Sequence, residues 1–514
     1  MQDYLFVRQN MKKRSVILSI ILCFALCLGT LAGCAPAPAP EESAEKTVAP
    51  GKVRGKVLSD NGDMLVAGIL VIDQDNNAYR TTTNAYGGYN LQLQPGQYTL
   101  IFNKGAEFST KTVEIAVDSL KIYYLQDVRL TQLHDSYADG WIAGDAHQHT
   151  NYSDGADSIE NAVVANASVG LYWGFLTDHN VSRGCAEWRE TMVNVLTETD
   201  GSRRYFVGFD GVENTTEFGH FNTLGTGMTF DKYEIGFTEA ERASANRNDY
   251  AREKIIYIAK QSKRQGGLAQ MNHPYSSTNM GAMNFLKEDD FEAICSFDTI
   301  EIWNGYFTVP DSRFDTKNGE NQNNTAKLLW YSALNEMKNG RSFIAATGGT
   351  DNHDSQGPAD SSKRAYIGKD SYTLSEYYNL CRYMGKYCGN PTTYVHLTGD
   401  ELTKENVMEA LKAGHSFISN GPILNCNIGG AVYGDTVSAA DGTVTVTADI
   451  FCRDGLTQVR IVKNGEIVRT VTFDELLTQY NGEITAEVTS GDWILIEALG
   501  DWGIYAISNP FFID

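Results

Sequence analysis

Basic residues are scarce: 42 Lys and Arg stand against 64 Asp and Glu in 514 residues, a formal net charge of −22. A chain this acidic is poorly suited to holding a phosphate backbone, which argues against a nucleic-acid partner. Cysteine is sparse, with nine in all. No two of them stand in the Cys-x2-Cys spacing of a zinc knuckle. Cys185, Cys295, Cys381, Cys388, Cys426 and Cys452 read as small buried hydrophobes, although an exported protein could pair them. No Gly-x-Ser-x-Gly elbow occurs, so a serine nucleophile of that kind is absent. The apolar run Val16–Leu28 falls short of the ~20 residues that a spanning helix needs. What is left is an ordinary folded composition, 42% hydrophobic and 21% charged, long enough for several domains. Histidine is scarce as well, nine residues, so where they fall carries information.

Lys12-Lys13-Arg14, the apolar run and Leu31-Ala32-Gly33-Cys34 together read as a secretory signal over residues 1–33, with Met11 as the natural start. An uncleaved membrane anchor is the alternative. Leu-Ala-Gly-Cys resembles the bacterial lipobox, which implies lipidation of Cys34, export and attachment to the membrane. Residues 34–50, rich in Ala-Pro and then Glu, read as an extended tether.

Residues 51–132 alternate apolar and polar positions between turns such as Asp60-Asn61-Gly62 and Gln94-Pro95-Gly96, the pattern of a small β-sandwich. Thr82–Tyr89 followed by Leu-Gln-Pro-Gly-Gln-Tyr resembles carboxypeptidase-regulatory-like modules. Over 138–420, short apolar runs alternate with helical stretches at 157–169, 185–198, 247–265, 322–339 and 402–413, which points to βα units in a parallel sheet or barrel. Residues 421–514 return to strand alternation and read as a second β-sandwich.

Six histidines fall just after the apolar runs of the middle segment. The runs lead to Asp145-Ala146-His147-Gln148-His149, Thr177-Asp178-His179, Glu213 with His220 behind it, Asn272-His273-Pro274, and Asp351-Asn352-His353. His147 and His149, two apart on an extended chain, share a face and can chelate one ion. In a parallel barrel the carboxyl ends of the strands converge on one mouth whatever their sequence distance. Mixed imidazole and carboxylate donors suit Zn, Fe or Mn better than Mg or Ca. Any one of these histidines alone would read as a core or surface residue; six at successive strand ends do not.

His147-Gln148-His149-Thr150-Asn151-Tyr152-Ser153-Asp154-Gly155, then Thr-Asp-His, Glu, His, Asn-His-Pro and Asp-x-His, resemble the PHP (polymerase and histidinol phosphatase) superfamily over about residues 140–360. Ile300–Gly305, Leu411–Phe417 with Ser419–Pro422, and Ile507–Pro510 are similar to its CehA/McbA-type metallohydrolase branch. The resemblance implies an α/β chain with a distorted (β/α)7 barrel, here flanked by an amino-terminal and a carboxyl-terminal β-sandwich, and two or three divalent transition metals. It implies a first metal on His147, His149, Glu213 and Asp351, and a second bridged by Glu213 and bound by His220 and His273. A third would lie on Asp154, His179 and His353, with Asp154 where some members carry histidine.

Metals of this kind acidify water and polarise the oxygen under attack, so no side-chain nucleophile is required. Glu213, as the bridge, and Asp178, beside a ligand and able to orient His179 or shuttle a proton, are the candidate catalytic residues. Arg183, Asn304 and His415 are candidate substrate contacts, although His415 could equally close a turn. The expected activity is metal-dependent hydrolysis, first of a small-molecule or cell-envelope phosphate ester. The alternatives are hydrolysis of a carbamate, ester or amide, and a surface-binding lipoprotein without activity. The Tyr-rich stretch near 355–400 (Tyr372, Tyr377, Tyr378, Tyr383, Tyr387, Tyr394) would suit a lid or a packing element.

Overall fold

The computed structural model describes residues 48–277, 279–314, 321–358, 388–399, 401–439 and 441–514. The signal 1–33, Cys34 with its lipidation, nearly all of the tether, Cys381, and Tyr372, Tyr377, Tyr378, Tyr383 and Tyr387 lie outside the described residues. The fold is mixed α/β and rich in strands.

The alternating segment after residue 50 forms β1 (Gly51–Leu58), β2 (Gly68–Asp73), β3 (Ala78–Thr82), β4 (Gly88–Leu93), β5 (Gly96–Asn103), β6 (Lys111–Val117), β7 (Ile122–Tyr124) and β8 (Val128–Arg129). One sheet runs β4-β1-β7, with β8 also on β1, and the other contains β3-β2-β5-β6. Val53, Val57, Ile69, Val71, Leu100 and Phe102 pack into a shared core. β3, with the sequence Ala-Tyr-Arg-Thr-Thr, has too few apolar residues to stand out in the pattern.

The middle segment builds β9 (Trp141–Asp145), β10 (Trp173–Leu176), the pair β11 (Asn194–Thr197) and β12 (Arg203–Tyr205), then β13 (Val207–Thr216), β14 (Gly219–Leu224), β15 (Leu268–Met271), β16 (Thr299–Asn304) and β17 (Ala345–Gly349). The sheet order is β17-β16-β15-β14-β13-β10-β9. β9, β10 and β13 pair in parallel, as do β15, β16 and β17, while β14 is antiparallel to both its neighbours. The described sheet is thus six parallel strands and one reversed strand, rather than seven βα units. The reversal comes from a hairpin with Glu217-Phe218 at its tip, closed by a Thr216 hydroxyl donating to the Gly219 carbonyl at 2.8 Å.

All the parallel strands except β13, which is only partly covered at its ends, are buried along their whole length, as strands covered on both faces must be. Helix Arg247–Arg264 turns Ala251, Ile255, Ile258, Ala259 and Ser262, one face at helical spacing, into the core. Helix Gln322–Asn335 starts at Asn321, whose side chain accepts from the Asn324 amide at 3.0 Å. The stretch 185–198, read as one helix, is a helix only over Cys185–Glu190. Val195, Leu196 and Thr197 extend instead, because their alternation pairs them with β12. At the carboxyl end the sheet's two edges meet: the Asp351 amide donates to the His147 carbonyl at 2.7 Å and the His149 amide to the Asn352 carbonyl at 2.9 Å.

After β17 the chain forms β18 (Gly357–Pro358), which adds to β3, and then β19 (Thr392–His396), antiparallel to β9. β20 (Ser416–Ser419) follows, then β21 (Ile423–Asn427), β22 (Thr436–Val437), β23 (Thr443–Lys463), β24 (Glu466–Glu487), β25 (Trp493–Leu499), β26 (Tyr505–Ser508) and β27 (Phe511–Ile513). The boundary expected at 420 is crossed by a ladder: β20 pairs with β26, Phe417 opposite Ser508. The carboxyl-terminal strands therefore continue the central sheet, and Ile496, Ile461 and Phe511 share a core with Trp173 and Phe417.

Candidate metal centre

The strand ends place the donors. His147 and His149 follow β9 by alternation. The hairpin register sets Thr215 opposite His220 and Glu213 opposite Asn222. Side chains two apart on a strand share a face, so Glu213, Thr215, His220 and Asn222 look the same way. Asp351 and His273 adopt positive φ, 51° and 25°, and Asn180, next to His179, has φ 52°. Non-glycine residues there store strain, and all three sit where a strand hands over to the site.

Three overlapping groups of donor atoms result. His147, His149, Glu213 and Asp351 form one, His179, Glu213 and His220 a second, and His149, Asp154, His179 and His353 a third; within each, all ligand atoms lie within 4.8 Å of one another. Glu213 is the hub. Its Oε1 lies 3.3 Å from His147 Nε2, 3.2 Å from His220 Nδ1 and 3.4 Å from His273 Nε2. Its Oε2 lies 3.2 Å from His149 Nε2 and 2.9 Å from His179 Nδ1. Asp351 Oδ1 faces His149 Nε2 at 3.1 Å and His147 Nε2 at 3.4 Å. Asp154 Oδ1 stands 3.2 Å from His353 Nε2 and 3.6 Å from His179 Nε2. The structure brings all nine proposed ligands into this cluster. It differs from the assumed grouping in three ways: His149 joins the third set, His179 stands beside Glu213 and His220, and His273, expected in that second set, belongs to none of the three groups and pairs through Nε2 with Glu213.

The electrostatics are those of a cation site. Burial works against a charged carboxylate at Glu213, yet His147, His179 and His220 hold its pKa well below the ordinary carboxylate range. Burial likewise disfavours a charged His179 ring, but Glu213 and Asp154 push it up to about 9. His147 Nε2, His149 Nε2 and Glu213 Oε2 are buried, point at one another, and make no hydrogen bond. Buried polar atoms are almost always paired, so three convergent orphans call for a shared partner. A divalent cation fits. Every donor is imidazole nitrogen or carboxylate oxygen, the set suited to Zn, Fe or Mn.

No protein-family model matches the chain. No curated protein matches it either. Among solved structures it is similar to a two-domain protein from Bacteroides vulgatus containing a predicted PHP-like metal-dependent phosphoesterase. That pair shares 16% identity over 70% of this chain and 91% of the other, with a TM-score of 0.33. It is also similar to an amidohydrolase from Chromobacterium violaceum with bound sulfate and no metal, at 15% identity over 41% of this chain and 87% of that one, TM-score 0.23. Likeness of this strength carries no chemical information.

The surrounding shell holds residues that the sequence pattern did not assign. Glu301 Oε1 accepts from His147 Nδ1 at 3.0 Å, and its Oε2 accepts from the His273 amide at 2.8 Å and Asn304 Nδ2 at 3.0 Å. That contact leaves the Nε2 lone pair of His147 aimed at the cluster. Asn272 Nδ2 donates to Glu213 Oε1 at 2.8 Å. Asp145 receives the amides of His147 and Thr350, both at 3.1 Å, tying the first strand's end to the last; burial pushes its pKa up to about 7. Tyr306 places its hydroxyl 3.0 Å from His353 Nδ1. Gly349 lies so close behind His147 that a Cβ there would stand 2.4 Å from both Glu301 Oε1 and His147 Cβ.

The expectations for Asp178, Asn304 and His415 are corrected. Asp178 neither orients His179 nor faces the cluster. Its carboxylate accepts from the Thr150 amide and hydroxyl at 2.8 and 2.7 Å and from the Ser153 hydroxyl at 2.6 Å, fixing the loop that carries Asp154. Asn304 is fully buried and holds Glu301 and Asp351 Oδ2 (3.2 Å), so it positions ligands and does not meet substrate. His415 sits beside His396, which pairs with Trp141 at the amino end of β9, away from the cluster. Its Nε2 lies 3.2 Å from Asp435 Oδ1, joining two segments twenty residues apart in sequence. Arg183 is exposed on the loop after β10 and makes no hydrogen bond to the cluster among the described residues.

Proposed function

We propose that this chain is a metal-dependent hydrolase of the PHP type with two or three divalent ions, acting first on a phosphate ester. The observation that supports it is the convergence of orphaned imidazole and carboxylate atoms around Glu213. Bound divalent ions would supply acidified water and Lewis-acid polarisation. The chain's residues do the rest. Glu213 is shared by two donor groups and holds them in one register. Glu301 fixes the tautomer of His147, Asn272 fixes the Glu213 carboxylate, and Tyr306 sets the ring of His353. Asp154, the most exposed ligand, marks the side from which substrate arrives.

A cavity of about 870 Å³ adjoins the centre through Asn180 and Thr215, lined also by Phe230, Phe237, Glu217 and Arg242 among others. It is sized for the part of the substrate that does not react. Its described cation, Arg242, is paired with Glu217, Nε to Oε2 at 2.8 Å. That pairing favours a second reading, hydrolysis of an uncharged carbamate, ester or amide as in the CehA/McbA branch. Export, lipidation at Cys34 and a cell-envelope substrate belong to the same proposal, as does the absence of a nucleic-acid partner.

Purified protein loaded with Zn, Mn or Fe, assayed in parallel on aryl phosphate mono- and diesters and an aryl carbamate, separates the two readings. Phosphate ester turnover supports the first and carbamate turnover the second. A folded protein that takes up no transition metal overturns both.

A further inference from the structure

A second cavity lies beside the first turn of helix Ile159–Ser168, where the amino-terminal strands meet the segment that carries the metal ligands. Its volume is about 720 Å³, and it is lined from three sources: the amino-terminal strands and turns, Glu160 and Asn161 of that helix's first turn, and Gln356. Gln356 lies three residues beyond His353, on the segment that goes on to pair with β3.

The lining is unusual for a surface that serves only as a spacer. Tyr86 is 79% exposed, Tyr124 is 75% exposed, and Met64 is also exposed; all three gather at this one cavity. Large apolar side chains scattered singly need no explanation, but several collected around a concave site mark a place of contact. Below them Tyr89 is buried against Phe102. Its hydroxyl lies over Gly55, where a Cβ would stand 2.3 Å from it, and it makes no hydrogen bond. The same lining carries planar polar groups: the Asn90 amide, which accepts from Arg54 Nε at 3.0 Å, and the side chains of Asn161 and Gln356. Charge at the rim is balanced, with Arg54 and Lys56 against Asp127 and Glu160.

Each feature narrows the ligand. Exposed tyrosine faces suit a flat apolar surface that is itself hydrated at its edges. Amide and guanidinium groups suit neighbouring hydroxyls. Balanced rim charge, in a chain of net −22, disfavours an anionic polymer. A volume of this size takes a ligand of a few rings. We propose that this cavity is a binding site for a neutral oligosaccharide, of two or three sugar rings, whose apolar faces lie on Tyr86 and Tyr124. The site is independent of the metal centre and stands whether or not the hydrolase reading does.

The test is calorimetric titration of the full chain with a panel of neutral hexasaccharides: maltohexaose, cellohexaose, xylohexaose, mannohexaose and chitohexaose. At least one binds with a dissociation constant of about 0.1–1 mM, the scale of a shallow site. Tyr86→Ala and Tyr124→Ala each weaken it about fivefold or more, while Tyr86→Phe, which keeps the ring face, retains most of the affinity. Both tyrosines are exposed, so the variants fold, and they leave metal uptake unchanged. Absence of binding across the panel overturns the proposal. So does binding that both alanine variants leave intact, or capture of a peptide at this cavity in place of every sugar.

Discussion

Glu301→Gln isolates the role of the buried carboxylate behind the metal centre. Glu301 receives three donors, the His147 Nδ1 hydrogen on Oε1, and the His273 amide and Asn304 amide on Oε2. Glutamine keeps the shape but converts one acceptor into a donor. If its NH2 turns toward His273 and Asn304, two buried donors are left unpaired, at about 1–3 kcal/mol each. If it turns toward His147, that ring must accept at Nδ1 and carry its hydrogen on Nε2, which faces Glu213 and Asp351 at 3.3 and 3.4 Å. The second arrangement costs the fold less, so it prevails, and the penalty falls on metal binding. Loss of such a supporting partner lowers metal affinity about 10–100-fold, or about 1.4–2.8 kcal/mol. Zinc titration of the metal-free protein against a chromophoric chelator reads that change, with thermal unfolding of the metal-free protein as the control. The variant should unfold near the wild-type temperature and hold zinc more weakly. Unchanged affinity would refute the claim that Glu301 sets the tautomer of His147.

Glu213→Gln removes the charge shared by two donor groups and should abolish hydrolysis and reduce the metal content found by elemental analysis; full activity would dissolve the site as described. Gly349→Ala puts a methyl group 2.4 Å from Glu301 Oε1 and His147 Cβ, and should lower metal uptake or the yield of soluble protein. Wild-type metal content and unfolding temperature would contradict that packing. Lys104, fully buried, donates from Nζ to the carbonyls of Val66 (2.9 Å) and Ala167 (2.6 Å), and burial pushes its pKa down to about 7. Lys104→Met removes both bonds, taking this donor from the Val66 carbonyl while the Ala167 carbonyl keeps the Gly170 amide at 3.2 Å, and should destabilise by about 1–3 kcal/mol, read by denaturant unfolding. A shift within experimental error would show those bonds to be dispensable.

The ligands were legible because imidazoles and carboxylates at the ends of short apolar runs leave a pattern in one dimension. His147 and His149 announce themselves by alternation, and Asp351 and His353 by following a buried strand. Their grouping was not legible: His149 reaches two donor sets and His179 stands beside Glu213 through the curl of the sheet, which no spacing encodes. The roles of Asp178 and Asn304 failed for a similar reason. Asp178, beside His179 in sequence, could have oriented that ring, and Asn304, at the end of a strand, could have met substrate, but hydrogen bonds to Thr150, Ser153, Glu301 and Asp351 decide otherwise. Glu301 sits inside the strand Thr299–Asn304 and was assigned no role; an acid among Ile300, Ile302 and Trp303 was the available signal. In the carboxyl-terminal segment, β24 escaped in part because its exposed charged positions dilute the alternation.

The pairing of β18 with β3 also sets a timetable. Arg80 leaves the ribosome early, while its partner Gly357 follows roughly 280 residues later, which at about 5–20 residues per second takes roughly 14–55 s. Through that interval the outer edge of β3 has donors and acceptors with no strand beside them, the kind of edge that recruits a neighbouring chain. Synthesis of the segment bearing Asp351 and His353 therefore ends the exposure of the amino-terminal sheet as it completes the metal centre, and slow translation between the two would lengthen the window for mispairing.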